Sequence, residues 1–388
     1  MSIADKLTYL NETKSLLRET INAAGGNLTQ ETPFREYAGG WLRDQSASLI
    51  LDFSRQQYAS RDNVSMFPDR VGFEDIVTFT RSTGGGRFNA QGEYEWLGPD
   101  EPRIDYDPLT GECLGLLVEE QRTRLNTVST GPTLLSPTRA TYVDDGTKYI
   151  DGTTPFYKLV ESTDNNTHIG VPSSAALAAN TTYTASYVVK AAGRSRFRLE
   201  VVGTALWSPT SPAVTYNLTT GTITAAVRGA SGTIKSLGNG VFLVTFTATT
   251  GGSAFASSIY TFLLNDSGVN SYAGDGVSGI YISAYQLESG SFGTSLIVGE
   301  GSQVTRAADI ASVNELSPWC NQNQGSFSIK AKGHTGEPLL TAGDASIIAD
   351  SGELKEYQVS YSEDPQATQV DIGKGLVESI RYWPRETT

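Results

Sequence analysis

The stretch that decides how this chain is organised runs from Phe79 to Leu125 and reads FTRSTGGGRFNAQGEYEWLGPDEPRIDYDPLTGECLGLLVEEQRTRL. It is rich in turn-forming residues, and its arginines alternate with acidic residues. A packed domain rarely keeps so long a segment without secondary structure unless the segment has a function. One interpretation is a solvated surface connection. The regular charge spacing favours the other, an extended arm that is fixed along the surface by paired charges.

The arm carries charges of both signs at spacings that allow them to pair. Bidentate arginine–carboxylate pairs can hold a segment that has no sheet of its own. The predicted clamp consists of Arg81, Arg103, Asp105, Asp107, Glu119, Glu120 and Arg122. Asp107 also precedes a turn that contains Pro108 and Gly111, and its carboxylate can accept hydrogen bonds from the backbone of that turn.

Two other interpretations of these acidic residues fail on spacing. Asp105, Asp107, Thr110 and Glu112 resemble half of a calcium loop, but the glycine and the final bidentate glutamate stand at the wrong positions. The adjacent Glu119–Glu120 pair is a poor pair of glycosidase acids, because neighbours on a strand point to opposite faces. We therefore expect no catalytic, cofactor-binding or metal site.

The 388-residue chain has the composition of an all-β protein with many turns. Only 18% of its residues are charged, whereas glycine (40 residues) and tyrosine (18 residues) are frequent. The net charge of -13 argues against binding to nucleic acid and to anionic lipid. The sequence has no run of 18 apolar residues, and Met1 leads into a charged segment, so we expect neither membrane insertion nor a signal peptide.

An amphipathic helix is predicted at the N-terminus, ending at Gly25 and Gly26. Its apolar residues recur every three or four positions, with Lys14 in the place of one of them. This seam predicts oligomerisation or attachment to a partner, and an intramolecular lid is the alternative. About three heptads is the lower limit for a coiled coil, with a trimer as the favoured state and six- or twelvefold rings as alternatives. The seam residues are Ile3, Leu7, Leu10, Leu17 and Ile21.

From Thr130 to Ser295 the sequence alternates between short β-prone runs and turn residues, which predicts a β-sandwich. Aromatic residues in these runs are expected mostly in the core, with a sugar platform as the alternative. They are Tyr183, Tyr187, Trp207, Tyr216, Tyr260, Tyr272, Tyr281 and Tyr285. Residues 312–388 predict a reduced sandwich of about five or six strands that leans on its neighbour or on another subunit.

Several segments resemble structural proteins of tailed bacteriophages. IADKLTYLNETKSLLRETINAAGGN followed by TPFREYAGGW resembles their N-terminal attachment helix. FEDIVTFTRST and PRIDYDPLTGECLGLLVEEQRTRL resemble the arm of tail, fibre and neck-appendage proteins. This chain departs from the family pattern in two places. Three glycines at 84–86 stand where the family has a cluster of small residues and Thr, and Arg124 stands where the family has Asn. TYTASYVVKAAG and GSQVTRAAD resemble a carbohydrate-binding-module-like jelly roll. SVNELSPWCNQNQGSFSIKAKG and VESIRYWPRE resemble the ends of a laminin-G-like sandwich.

The resemblance implies a mainly β chain: an N-terminal α-helical segment, an extended arm, a jelly-roll β-sandwich and a small C-terminal β-sandwich. The expected units are 1–46 for attachment, 47–129 for short strands and the arm, 130–311 for the jelly roll and 312–388 for the reduced laminin-G-like unit. The implied function is that of a non-enzymatic structural subunit of a phage tail, neck or collar appendage. Its partners would be copies of itself and other virion proteins. The alternative is a lectin-like module that recognises a host surface glycan.

Cys113 and Cys320 are the two cysteines, and the sequence has no CxxC motif, which excludes zinc-finger sites. Buried thiols are expected in a chain that folds in the reducing host cytoplasm. A virion that has left the cell is no longer kept reduced. A disulfide formed then, within a subunit or between subunits, would lock the assembled particle.

Overall fold

The computed structural model describes residues 47–60, 69–148, 155–202, 211–299, 301–317, 319–362 and 365–384, together with Ser15, Arg18, Glu19 and Asn22. The predicted N-terminal seam of Ile3, Leu7, Leu10, Leu17 and Ile21 lies outside the described residues, as does Trp207. The prediction of a mainly β chain is confirmed, since one short helix and 33 strands make up the regular structure of the described ranges from residue 47 onward.

The strands fall into three consecutive groups along the chain. The first elements are β1 (Leu49–Asp52), β2 (Gln57–Ser60), β3 (Asp69–Val71), α1 (Phe73–Ile76), β4 (Thr78–Thr80), β5 (Gly85–Phe88), β6 (Tyr94–Leu97), β7 (Ile104–Tyr106), β8 (Cys113–Val118) and β9 (Arg122–Arg124). Next come β10 (Leu135–Thr138), β11 (Ala140–Lys148), β12 (Pro155–Glu161), β13 (Asn165–Thr167), β14 (Ile169–Pro172), β15 (Ala175–Leu177), β16 (Thr182–Ala192), β17 (Arg196–Glu200), β18 (Ala213–Asn217), β19 (Thr222–Val227), β20 (Ser231–Gly238), β21 (Val241–Thr249), β22 (Phe255–Ser257), β23 (Tyr260–Leu264), β24 (Ser271–Ala273) and β25 (Gly279–Ser289). The last are β26 (Val304–Arg306), β27 (Ile310–Val313), β28 (Gly325–Lys332), β29 (Pro338–Ala342), β30 (Ala345–Ile348), β31 (Lys355–Tyr361), β32 (Val370–Ile372) and β33 (Gly375–Trp383).

Residues 135–289 form the middle sandwich, which consists of two six-stranded sheets. Their strand orders are β10-β14-β23-β17-β18-β19 and β11-β12-β25-β16-β21-β20. Strand β17, RFRLE, shows why the sequence forms such a layer: Phe197 and Leu199 are fully buried, and the alternating charged residues are partly exposed. The sheets share one core, in which the Tyr216 hydroxyl donates to the Thr245 carbonyl of the opposite sheet at 2.5 Å.

A second unit, the terminal sandwich, combines strands from both ends of the described chain. One sheet has the order β3-β2-β1-β33-β28-β31, and β8, with β7 beside it, also pairs with β33. The facing sheet has the order β30-β29-β32-β27-β4. Strand β33 binds β28 along one side, while β1 and β8 share its other side, with Leu51 opposite Ile380 and Leu116 opposite Val377.

The prediction of a reduced C-terminal unit within residues 312–388 is therefore wrong. Strands from residues 49–80 and 104–118 complete its two sheets, so 47–129 is not a separate unit either. The physical reason is burial: Leu49, Leu51 and Leu116 are fully buried in the same core as Phe327 and Tyr382. Each such leucine contributes roughly 1.5–3 kcal/mol on leaving water.

The arm also has more regular structure than predicted. Strands β5 and β6 form a hairpin, β7 and β8 join the large sheet of the terminal sandwich, and β9 pairs with β26. Gly115 in β8 has φ of +118°, and a Cβ atom there would collide with the Val377 carbonyl oxygen. The arm therefore requires glycine at position 115, where β8 approaches β33.

No helix among the described residues is long and apolar enough to cross a membrane.

Candidate functional site: the joint between the two sandwiches

Asp309 lies at the centre of a buried ionic cluster between the two sandwiches, in the short connection from β26 to β27. Its carboxylate accepts hydrogen bonds from Arg81 Nη1 at 3.0 Å, from Arg103 Nη2, and from the Glu119 backbone N–H at 2.7 Å. Arg306 Nη1 lies 3.9 Å from Asp309 Oδ2. The side chains of Asp309 and of all three arginines are 0% exposed.

Glu119 is the second acid of the cluster. Its carboxylate accepts from Arg103 Nη1 at 2.7 Å and lies 3.4 Å from Arg306 Nη2. Ser295, in the loop after β25, donates to it from both its N–H (2.8 Å) and its hydroxyl (2.6 Å). Burial alone would raise the pKa of Glu119, but the two guanidinium charges and the Ser295 hydrogen bonds lower it to about 2.

Other guanidinium hydrogens of the three arginines bind backbone carbonyls of the arm. Arg81 donates to the carbonyls of Thr83 and Gly98, both at 2.7 Å, and Arg103 donates to that of Gly86 at 3.1 Å. Arg306 donates to the Glu120 carbonyl at 2.9 Å. The arginines therefore hold the arm backbone as well as the acids.

We call this cluster of Arg81, Arg103, Glu119, Ser295, Arg306 and Asp309 the joint. It brings together three arginines and two carboxylates from the arm and from the start of the last strands, and Ser295 from the loop after the middle sandwich. A buried ion pair adds little net stability when it is complete, but removing one partner is strongly destabilising because the other charge is left buried. The joint therefore fixes geometry between the sandwiches.

The other predicted clamp residues have different partners. Asp105 accepts a hydrogen bond from the Phe88 N–H at 2.8 Å, and burial raises the pKa of its carboxyl. Asp107 accepts from the N–H groups of Leu109 (2.8 Å) and Thr110 (3.2 Å), which confirms that it caps the turn. Arg122 pairs locally with Glu120 at 2.5 Å, outside the joint.

The sequence analysis missed Asp309, Arg306 and Ser295. The signal for two of them is present in QVTRAADI, where an arginine and an aspartate stand three positions apart between β26 and β27. Ser295 carries no such signal, because a serine in a glycine-rich loop is common.

The two cysteines, both within the described ranges, are not bonded to each other. Cys113 Sγ lies 3.6 Å from the Phe53 carbonyl oxygen, and Cys320 Sγ lies 3.6 Å from the Tyr361 hydroxyl. Both are partly buried in the terminal sandwich. Burial raises the pKa of the Cys113 thiol.

Most of the middle-sandwich tyrosines are core residues, as expected. Five of them are at most 8% exposed: Tyr183, Tyr187, Tyr216, Tyr272 and Tyr285. Tyr260 and Tyr281 are partly exposed but lie on different sheets, so they do not form one platform.

Within the described part of the chain, no group of three His, Cys, Asp or Glu side chains is placed to hold a metal ion. No protein-family model matches this chain, and no curated protein matches its sequence.

Proposed function

We propose that the chain is a structural subunit of a bacteriophage virion, part of a tail, neck or collar appendage. The observation that carries the proposal is the position of the arm residues on which the resemblance rests. Arg81, Arg103 and Glu119 stand in the TFTR, PRxDYDP and LLxEE segments, and all three meet in the joint.

The chemistry of the joint supports a mechanical role. Its arginine side chains are 0% exposed, and each of its two acids is held by at least two arginines. The three arginines and Asp309 are closed to a substrate, and they can transmit a load between the two sandwiches. A pair of rigidly joined sandwiches suits a subunit that projects from a particle.

Attachment and self-association are assigned to residues 1–46, with a homo-trimer as the favoured state and other virion proteins as further partners. The sugar-platform alternative gains no support from the seven described tyrosines predicted for it, because five are buried and the other two, Tyr260 and Tyr281, lie on different sheets.

Two measurements test the proposal. Immunogold electron microscopy with antibody against the terminal sandwich should label one fixed position on particles released by cells that express the chain. Label confined to particle-free material would overturn the virion role. The mass in solution of the full chain should be that of a trimer, and that of residues 47–388 should be that of a monomer. Two monomers would instead mean that residues 1–46 attach to a partner.

A further inference from the structure

A cleft of about 340 Å³ opens beside the joint and continues into a hollow of about 200 Å³. The middle sandwich contributes Lys235, the loop after it contributes residues 292–294, and the terminal sandwich contributes residues 332–334 and 374–376. The arm contributes Asp105, which lines both spaces. The total size falls in the range of small-molecule sites, and both sandwiches supply walls.

Three lysines and three carboxylates line this cleft, but the two kinds of charge are not equally paired. Lys235 and Lys332 have no ion pair with any described carboxylate, and Lys374 lies 3.7 Å from Glu120 and 3.4 Å from Glu337. Burial lowers the pKa of His334, so this ring is neutral at pH 7 and the lysines supply the charge.

Acceptor groups lie among these lysines. Asp105 uses one carboxylate oxygen for the Phe88 N–H, and its carboxylate borders both spaces. Glu119 and Glu120 also line the cleft, but they are engaged by arginines. A simple inorganic anion would approach lysines and carboxylates together and gain little. A ligand with hydroxyl donors as well as an anionic group satisfies both kinds of side chain.

The inner hollow adds an apolar wall. Phe88, Leu237 and Leu243 line it, and the Lys235 ammonium lies 6.0 Å from the centre of the Phe88 ring. Such a wall suits the C–H face of a sugar ring, with its hydroxyls directed to the polar side.

We propose that this cleft binds a saccharide that carries a carboxylate, with Lys235 and Lys332 on the acid group and Asp105 on the hydroxyls. The ligand would touch both sandwiches at once. This binding goes beyond the structural role and does not depend on it.

The test is isothermal titration of the full chain at low ionic strength with an oligogalacturonate, a neutral oligosaccharide of equal length and inorganic phosphate. We expect the oligogalacturonate to bind and the other two not to. The double variant Lys235→Gln/Lys332→Gln should bind at least tenfold more weakly, because both ammonium groups that contact the carboxylate are lost.

The matched control is Lys148→Gln/Lys190→Gln, which removes the same charge from the middle sandwich outside the cleft and should bind as the parent chain does. Charge reversal at the exposed Lys332, by Lys332→Glu, should abolish binding without unfolding, as monitored by circular dichroism. The proposal is overturned if oligogalacturonate does not bind, if the neutral sugar or phosphate binds equally well, or if the cleft variants bind like the control.

Discussion

Arg81 and Asp309 stand 228 positions apart in the chain, yet their side chains form a fully buried ion pair with an Nη1–Oδ1 distance of 3.0 Å. Asp309 also serves Arg103 and the Glu119 backbone, so one carboxylate ties the arm to the start of the last strands. A single substitution in the joint should therefore lower the free energy of unfolding more than a substitution in a surface ion pair does.

Asp309→Asn keeps the shape of the side chain and removes its charge. Three buried arginines would then share one acid, and we expect the free energy of unfolding to fall by about 3–5 kcal/mol. Urea denaturation of the parent chain and of Asp309→Asn measures this difference in the free energy of unfolding. Asp350→Asn, which removes a surface carboxylate paired with Lys355 at 2.5 Å, should cost less than about 1 kcal/mol. Equal losses in the two variants would contradict a structural role for the joint.

Acid should weaken the joint in a defined range. The pKa of Glu119 is lowered from 4.5 to about 2 in the folded chain, so its stabilising contribution is complete above pH 4.5 and is lost as the pH falls towards 2. The full contribution is about 3 kcal/mol. Thermal unfolding between pH 6 and pH 2 should show a steeper loss for the parent chain than for Glu119→Gln. Parallel curves would show that Glu119 titrates normally.

The pairing of β1 with β33 predicts that a residue near the N-terminus stabilises the C-terminal strands. Leu51 is fully buried opposite Ile380, and Leu51→Ala should cost about 2–5 kcal/mol. The β33 amides should exchange hydrogen faster in the Leu51→Ala variant than in the parent chain. Ile50→Ala, on the other face of the same strand, is the matched control and should have a smaller effect. Unchanged exchange in β33 after Leu51→Ala would refute the pairing.

The Cys113 thiol should react slowly. Its raised pKa leaves less thiolate at pH 8, and the thiolate is the reactive form. Iodoacetamide should alkylate it more slowly in the folded Cys320→Ser variant than in the same variant in urea. Rapid alkylation of the folded protein would be inconsistent with burial.

If Cys113 and Cys320 become bonded between subunits after assembly, a non-reducing gel of the assembled material will show covalent dimers.

The local pattern of the strands was predictable, because an alternation such as that of Phe197 and Leu199 reports burial on one face. The capped turn at Asp107 was predictable for the same local reason. The pairing of β1 with β33 was not, because strand partners from opposite ends of the chain leave no periodic trace in the sequence.

The joint likewise contains residues that local sequence identifies and residues that only the tertiary fold identifies. Arg103 and Glu119 were both predicted as members of the clamp from charge spacing within the arm, and they pair at 2.7 Å. Asp309 was missed because its role depends on where a distant connection folds back. Asp105 was also predicted as a member of the clamp, but it accepts a hydrogen bond from the Phe88 N–H of the β5–β6 hairpin instead.

The strand order of the terminal sandwich has a consequence for biosynthesis. Strands β1 and β8 are translated before the middle sandwich, but their partner β33 is translated after it. The middle sandwich is therefore an insertion into the terminal sandwich. At roughly 5–20 residues per second, the early strands wait on the order of tens of seconds with their leucines uncovered. The inserted sandwich can fold co-translationally, whereas the terminal sandwich closes only after β33 has been translated.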